Sequence, residues 1–325
     1  MRIKILVLSM AIFIGGCGVT EEDLKGIGNS CNLIELREQN AFPKECLNTI
    51  EDLLPSPENN LNSKLLAFGQ DANKRELFVL GASLGSLQLE VKSITNGITT
   101  TLIKNTDYTI GKLSDLTLYP LLSISSVLDY SASMSDDDID DAVTIFSDIY
   151  SIFTTPLIES EIRLFSETVY HKLPFNSEKN VLLSSIKKDD TIERESTALL
   201  DAMGQGLEAL GSRTAPIKVM IVATDGMENA STTYTDKNAI YALANRHNIP
   251  VIIIGSLFSD LVFMKELASK TNGIFIYNKT ILKVKDDAKL LIEMIKNIQV
   301  ITITKPLSNG TTFSVSADGK SIDFN

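Results

Sequence analysis

Leu121-Leu122-Ser123-Ile124-Ser125-Ser126-Val127-Leu128-Asp129-Tyr130-Ser131-Ala132-Ser133-Met134 carries two messages in succession. The first nine residues, LLSISSVLD, are apolar or small almost throughout. That is the composition of a strand covered on both faces. The remainder releases Asp129, Ser131 and Ser133 at alternate positions, three hard oxygen donors leaving one strand end. Ala132 between them is small, so the backbone can turn closely there. Alone, Asp-x-Ser-x-Ser is a weak pattern and suits a helix N-cap equally well.

Outward from this stretch, strands and helices alternate between about 119 and 298. DDDIDDAVTIFSDIYSIF (136–153) reads as a helix, with Ile139, Val143, Ile145 or Phe146 and Ile149 near helical spacing. SEIRLFS (160–166) is a strand, STALLDAMGQGLEAL (196–210) a helix and IKVMIVATD (217–225) a buried strand. TDKNAIYALANRHN, VIIIGS, SDLVFMKELASKT, GIFIYN and KDDAKLLIEMIKNI continue the alternation to 298. Continuous apolar strands between amphipathic helices predict an α/β, doubly wound, mostly parallel sheet. In such sheets sites form at the C-terminal strand ends. Thr197, at the opening of one helix, and Asp225, at the end of a buried strand, fall there beside the Asp129 turn.

This set of Asp129, Ser131, Ser133, Thr197 and Asp225 resembles the metal-ion-dependent adhesion site of von Willebrand factor type A domains. The resemblance covers roughly 119–298. EIRLFSETVYHKLPF, IPVIIIGS and ASKTNGIFIYN are similar to the family's later strands. It implies that Ser131 and Ser133 bind a metal directly, that Asp129 and Asp225 hold it through water, and that Thr197 joins when ligand is bound. Ala132 stands where the family commonly has Gly. Hard oxygens suit Mg²⁺, Ca²⁺ or Mn²⁺. A shell of neutral hydroxyls leaves the ion electrophilic. The binding mode implied is therefore a metal bridge to the acidic residue of a protein ligand. The acidic run Asp136, Asp137, Asp138, Asp140 and Asp141 is expected to open a helix, where carboxylates favour the positive end of the dipole, rather than to form a second metal site.

On either side of this region the pattern is β-like. LQLEVKSIT and ITTTLIKN flank Asn96-Gly97, a strong hairpin signal. Near the other end, VITITK runs to Pro306, Asn309-Gly310 precedes TFSVSA, and Asp318-Gly319 leads to KSIDF. Each group has too few strands for a stable sheet. The two groups are expected to pair into one smaller, sandwich-like β-rich domain with the α/β part inserted; two separate β arms are the alternative. The expected divisions are a signal peptide (1–16), a tether with a helical segment (17–60), the first β part (61–118), the α/β domain (119–298) and the second β part (299–325).

The first residues set the expected compartment. Arg2 and Lys4 precede the apolar run Ile5 to Ile14, too short to span a bilayer but suited to a signal sequence. Ile14-Gly15-Gly16-Cys17 resembles the bacterial lipobox, in which the cysteine is lipidated and becomes the new N-terminus. Removing 1–16 takes away two positive charges, so −11 becomes −13. Membrane attachment through lipid at Cys17 places the chain in the cell envelope, and Gly18 leans towards the outer membrane. Cys31 and Cys46 then remain as an even pair in an oxidising compartment, favouring a disulfide over two buried thiols. Such a bridge closes a loop of about 15 residues, worth roughly 3 kcal/mol in the chain-entropy model.

Composition excludes other classes. The 325 residues include 30 Lys and Arg against 41 Asp and Glu, which argues against a nucleic-acid partner. Two histidines, His171 and His247, 76 positions apart, leave no zinc-protease spacing. No nucleophile elbow or phosphate-binding loop occurs, so an enzyme is not expected. Two readings remain: a lipid-anchored envelope protein capturing a protein ligand through its metal, or a fixed assembly subunit of an envelope complex. EDTA-reversible capture separates the first from the second.

Overall fold

A computed structural model of the chain describes residues 65–70, 75–81, 89–113, 120–152, 158–226, 228–256, 261–278, 295, 298–317 and 320–324. All lie within one unit, Asn59–Asn325. The signal peptide, the tether, Cys17, Cys31 and Cys46 are outside the described residues, as is most of the helix expected over 285–298.

In chain order the described strands are β1 (Leu65–Gln70), β2 (Glu76–Gly81), β3 (Glu90–Thr95), β4 (Ile98–Thr101), β5 (Tyr108–Lys112), β6 (Leu122–Asp129), β7 (Ile158–Phe165), β8 (Val169–Asn176), β9 (Ile217–Thr224), β10 (Val251–Ser256), β11 (Ile274–Asn278), β12 (Gln299–Ile303), β13 (Thr312–Ala317) and β14 (Lys320–Phe324). The described helices are α1 (Asp136–Ile152), α2 (Lys179–Ser185), α3 (Leu199–Gly211), α4 (Lys237–Arg246) and α5 (Leu261–Lys270). Helix α2 and the return strand β8 occupy the stretch after SEIRLFS.

Six strands make the central sheet in the order β11-β10-β9-β6-β7-β8. All neighbours are parallel except β7 and β8. The strands read as unbroken apolar runs because alternate residues enter different cores. Val219, Ile221, Ile252 and Ile254 pack with Ile139, Ile145, Phe146 and Ile149 of α1. Met220, Val222, Val251 and Ile253 pack with Leu199, Met203 and Leu207 of α3 and with Phe263 and Leu267 of α5. The sheet is thus covered on both sides, which is what a parallel sheet requires.

Strands from the two flanks pair with each other. β12 lies between β2 and β5, all antiparallel, in the sheet β1-β2-β12-β5. β13 pairs with β3 in the sheet β14-β13-β3-β4. Leu77, Val79, Tyr108, Ile301 and Ile303 of the first sheet share a buried cluster with Val91, Phe313, Val315 and Phe324 of the second, so the β-rich part is sandwich-like. On the opposite face of the first sheet, Phe78 and Val300 belong to the α1-side core of the α/β part. The β3–β4 turn has Asn96 at φ 51° and Gly97 at φ 77°. A two-residue turn that matches strand twist needs both in the left-handed region.

One face of the central sheet carries charge where strands usually carry Val or Ile. Glu161 and Arg163 of β7 are buried and joined as a fork, Nε to Oε1 and Nη2 to Oε2 at 2.9 Å each. Ser125 of β6 donates to Glu161 at 2.7 Å. Helix α3 comes close over this pair because Gly206 has no side chain: a Cβ there would lie 2.6 Å from Ser125 Oγ and 2.7 Å from Met220 Cε. Lower on the same strands, Glu159 accepts from Ser123 at 2.6 Å and from Arg213 at 2.7 and 2.6 Å.

Candidate metal centre

The turn after β6 is pinned to its neighbours before any ligand is considered. Tyr130 N–H donates to Phe165 at the end of β7, and Ala132 N–H donates to the Glu195 carbonyl. Ala198 N–H donates to the Ser166 carbonyl, which brings the start of α3 to the same edge. Ser135 and Asp138 then form a reciprocal cap on α1: Ser135 Oγ donates to Asp138 Oδ2 at 2.6 Å and accepts from Asp138 N–H at 3.1 Å. Asp136 is paired with Lys188 at 3.0 Å and Arg194 at 2.8 Å. These contacts account for Asp136 and Asp138 as helix-opening residues.

Four of the five expected donors are buried. Asp129, Ser131, Thr197 and Asp225 are at most 4% exposed, whereas Ser133 faces solvent. Asp129 Oδ1 accepts from Ser131 N–H at 2.7 Å, and Oδ2 accepts from Thr224 Oγ at 2.5 Å. Ser131 Oγ lies 3.1 Å from Ser133 Oγ, which donates to Asp225 Oδ1 at 2.9 Å. Thr197 reaches the group across Gly226: a Cβ on Gly226 would meet Thr197 Oγ at 3.1 Å and Ser133 Oγ at 3.2 Å. Two βα loops, after β6 and after β9, and the α2–α3 connection therefore bring Asp129, Ser131, Ser133, Thr197 and Asp225 to one place. Thr197 stands two residues before the first residue of α3 and does not cap it; its hydroxyl is turned to the site instead.

The electrostatics favour a cation. Burial first and then the nearby Asp129 together raise the Asp225 carboxyl to about pKa 7, against a lowering contribution from the Ser133 hydrogen bond. Asp129 is also raised by burial, although the Ser131 and Thr224 hydrogen bonds act the other way. Two buried carboxylates of like sign resist joint ionisation unless a positive charge compensates them. The donor set consists only of hard oxygens, which fits Mg²⁺, Ca²⁺ or Mn²⁺. Among the described residues no group of three His, Cys, Asp or Glu is gathered, and this site has two carboxylates with hydroxyls as its other donors. His171 Nε2 lies 3.2 Å from Glu161 at the β7–β8 edge, and His247 rests over Gly211.

Sequence reasoning missed three residues that surround the site. Asn229 Oδ1 accepts from Thr197 N–H at 2.7 Å. Glu228 and Asp201 accept backbone N–H groups from α3 and from the segment after Gly226. The available signal was Asn229-Ala230-Ser231-Thr232-Thr233, a run of small polar residues whose N–H groups need acceptors from outside the run.

The chain belongs to the von Willebrand factor type A domain family. The family model matches residues 124–293, more than half of the 325 residues. Domains of this family typically bind a divalent metal at a metal-ion-dependent adhesion site and act as interaction modules. Membership points to a protein-interaction or adhesion-type role. No curated protein matched the sequence. Among solved structures, the chain is similar to proximal thread matrix protein 1 from the mussel byssus with a zinc-occupied metal-site motif. That match is 17% identical with a TM-score of 0.48, over 62% of this chain and 50% of that one. The chain thus spans about half the length of the mussel protein. It is also similar to BatB from Bacteroides thetaiotaomicron (16% identity, TM-score 0.44, 54% and 100% covered) and to the PilB minor pilin from Streptococcus sanguinis (12%, 0.45, 72% and 87%). Among the described residues no helix is long and apolar enough to cross a membrane.

Proposed function

We propose that this chain is a lipid-anchored cell-envelope binding protein that captures a protein ligand through a divalent cation. Asp129, Ser131, Ser133, Thr197 and Asp225 would hold the cation, with Mg²⁺ first and Ca²⁺ or Mn²⁺ as substitutes. Held there, the ion would supply a Lewis-acidic point of attachment for a carboxylate of the partner. The observation that carries this reading is the meeting of two buried carboxylates and three hydroxyls at the ends of β6 and β9 and the start of α3. Burying like charges together is costly without a compensating cation. Ser133 is the solvent-facing member of the set, so the partner's carboxylate arrives on its side.

The residues have separate tasks. The Ser131 and Ser133 hydroxyls would hold the ion as neutral donors, which would leave it electrophilic. Asp129 and Asp225 would supply the balancing negative charge. Asp129 is oriented by Ser131 N–H and the Thr224 hydroxyl. Thr197 closes the set on the α3 side. Hydroxyls engaged with a cation are poor nucleophiles, so the reading is a binding protein rather than an enzyme. Lipid at Cys17 would hold the chain at a membrane, the outer membrane by preference, with Cys31 and Cys46 bridged.

The test is a pull-down from detergent-solubilised envelopes with and without Mg²⁺, with Asp129→Ala as control. The expected result is a partner retained in Mg²⁺ and lost both in EDTA and in the variant. A stoichiometric partner that survives EDTA would overturn metal-bridged capture in favour of an assembly subunit. Palmitate labelling that disappears in Cys17→Ala tests the anchor separately.

A further inference from the structure

Helix α3 begins without a side-chain cap of its own, since its N-cap is Ala198. Its first N–H groups are satisfied from the segment that follows Asp225. Leu200 N–H donates to Glu228 Oε2 at 2.7 Å, and Asp201 N–H donates to Ser231 Oγ at 2.9 Å. The segment is held in return. Glu228 Oε1 accepts from Ala230 and Ser231 N–H at 3.0 and 2.7 Å, and Oε2 accepts from the Ser231 hydroxyl at 2.8 Å. Asp201 takes the next three N–H groups: Thr232 at 2.9 Å, Thr233 at 2.9 Å and Tyr234 at 2.7 Å. The Tyr234 ring then lies on the bare Gly204 backbone of α3.

Both ends of this strap are limbs of the metal site. Glu228 is three residues beyond Asp225, and Leu200 is three beyond Thr197. The Thr197 backbone is gripped directly, its N–H by Asn229 Oδ1 at 2.7 Å and its carbonyl by Asn229 and Ala230 N–H at 3.1 and 3.2 Å. A helix cap needs one acceptor near the first turn. Here two carboxylates, each using both oxygens, bind one limb to the other. The tolerance at the join is tight, because Thr197 Oγ sits against Gly226, where even a methyl group would be crowded. A shift of a few tenths of an ångström along the strap would move the Thr197 hydroxyl relative to Ser133 and Asp225.

We infer that Asp201 and Glu228 are positioning residues of the metal centre, locking the Thr197 limb to the Asp225 limb so that the Thr197 hydroxyl is in place before the cation arrives. This rests on the metal-binding reading above. Groups that orient ligands from behind typically change metal affinity by about 10–100-fold when removed. Glu228→Gln or Asp201→Asn keeps the shape but replaces an acceptor oxygen with a donor that faces backbone N–H groups.

The test uses Glu228→Gln and Asp201→Asn in the full chain, titrated with Mg²⁺ alone by calorimetry. Melting temperature and amide exchange at 230–234 are measured on the same samples. Ile252→Val, a core truncation on the opposite sheet face, sets the affinity change that lost stability produces by itself. The expected result is at least about tenfold weaker Mg²⁺ binding in both strap variants, with faster exchange at 230–234 and wild-type affinity in Ile252→Val. Strap variants that melt earlier yet bind Mg²⁺ like wild type would overturn the inference and leave the carboxylates as helix caps. Wild type that takes up no Mg²⁺ would overturn the metal-binding reading itself, a result distinguishable from the first.

Discussion

Replacing Asp225 with Asn is expected to stabilise the metal-free protein at pH 8 while removing its response to Mg²⁺. The Asp225 carboxyl is held near pKa 7, chiefly by burial and then by Asp129, from an ordinary value of 3.8. The folded, metal-free chain therefore keeps this proton more tightly than the unfolded chain does. Below about pH 4 both states are protonated and there is no penalty. Between about pH 4 and pH 7 the unfolded state ionises first, so folding stability falls as pH rises. Above pH 7 the loss is complete, at about 1.4 kcal/mol per unit over roughly three units, or about 4 kcal/mol. Relaxation around the pair reduces the figure in practice, so about 2 kcal/mol is the working expectation, equivalent to about 4–8 °C in melting temperature for a unit of this size. Asparagine keeps the shape and removes the charge. Thermal melts in EDTA at pH 5 and pH 8 read about two thirds of the effect as a difference of differences, since about one of the three units is already lost at pH 5. Wild type should lose more stability than Asp225→Asn over that interval, and saturating Mg²⁺ should restore wild type alone. Equal pH dependence of the two proteins in EDTA would refute the account of a strained carboxylate pair that awaits a cation.

Three further outcomes follow from the geometry. Arg163→Met leaves the buried Glu161 carboxylate without its fork and should cost about 3–5 kcal/mol in urea unfolding; the double variant Glu161→Leu/Arg163→Met should recover most of that loss. Gly226→Ala should weaken Mg²⁺ binding in a calorimetric titration while changing the melting temperature little, since the nearest atoms the added methyl group meets belong to Thr197 and Ser133, at 3.1 to 3.2 Å. Gly273→Ala should be far more damaging to folding, by at least about 3 kcal/mol, because its Cβ would fall 1.9 Å from the Val251 carbonyl oxygen; a soluble variant with wild-type melting would contradict the close approach of that turn to β10.

The sequence was most legible where chemistry is local. Asp129, Ser131 and Ser133 are neighbours in the chain, and a strand ending there delivers them together whatever the rest of the fold does. Thr197 and Asp225 were legible as a helix opening and a strand end, but their meeting with Ser133 depends on strand order, since β9 must lie beside β6. The strap was not legible, because Asp201 and Glu228 act on N–H groups 28 to 33 residues away. Glu159, Glu161 and Arg163 were opaque for a related reason. Alternating charge along a strand ordinarily marks a solvent face, yet β7 is buried along its whole length and its charges are matched by Ser123, Ser125 and Arg213 from other elements.

By itself the sequence determined the class of the molecule. Uninterrupted apolar strands between amphipathic helices leave the doubly wound sheet as the way to cover both faces, and hard oxygens at the strand ends select the chemistry of the site. Tertiary structure alone decided how the flanking strands combine and how rigidly the site is held. β12 pairs with β2 and β5 more than 180 residues before it, and no local preference encodes a pairing at that separation. The position of the Thr197 hydroxyl depends likewise on Gly226, Asn229, Glu228 and Asp201 packing together. The order of donors along the chain names the candidate ligands; the distances between them are set by which backbones can approach closely once the sheet has formed.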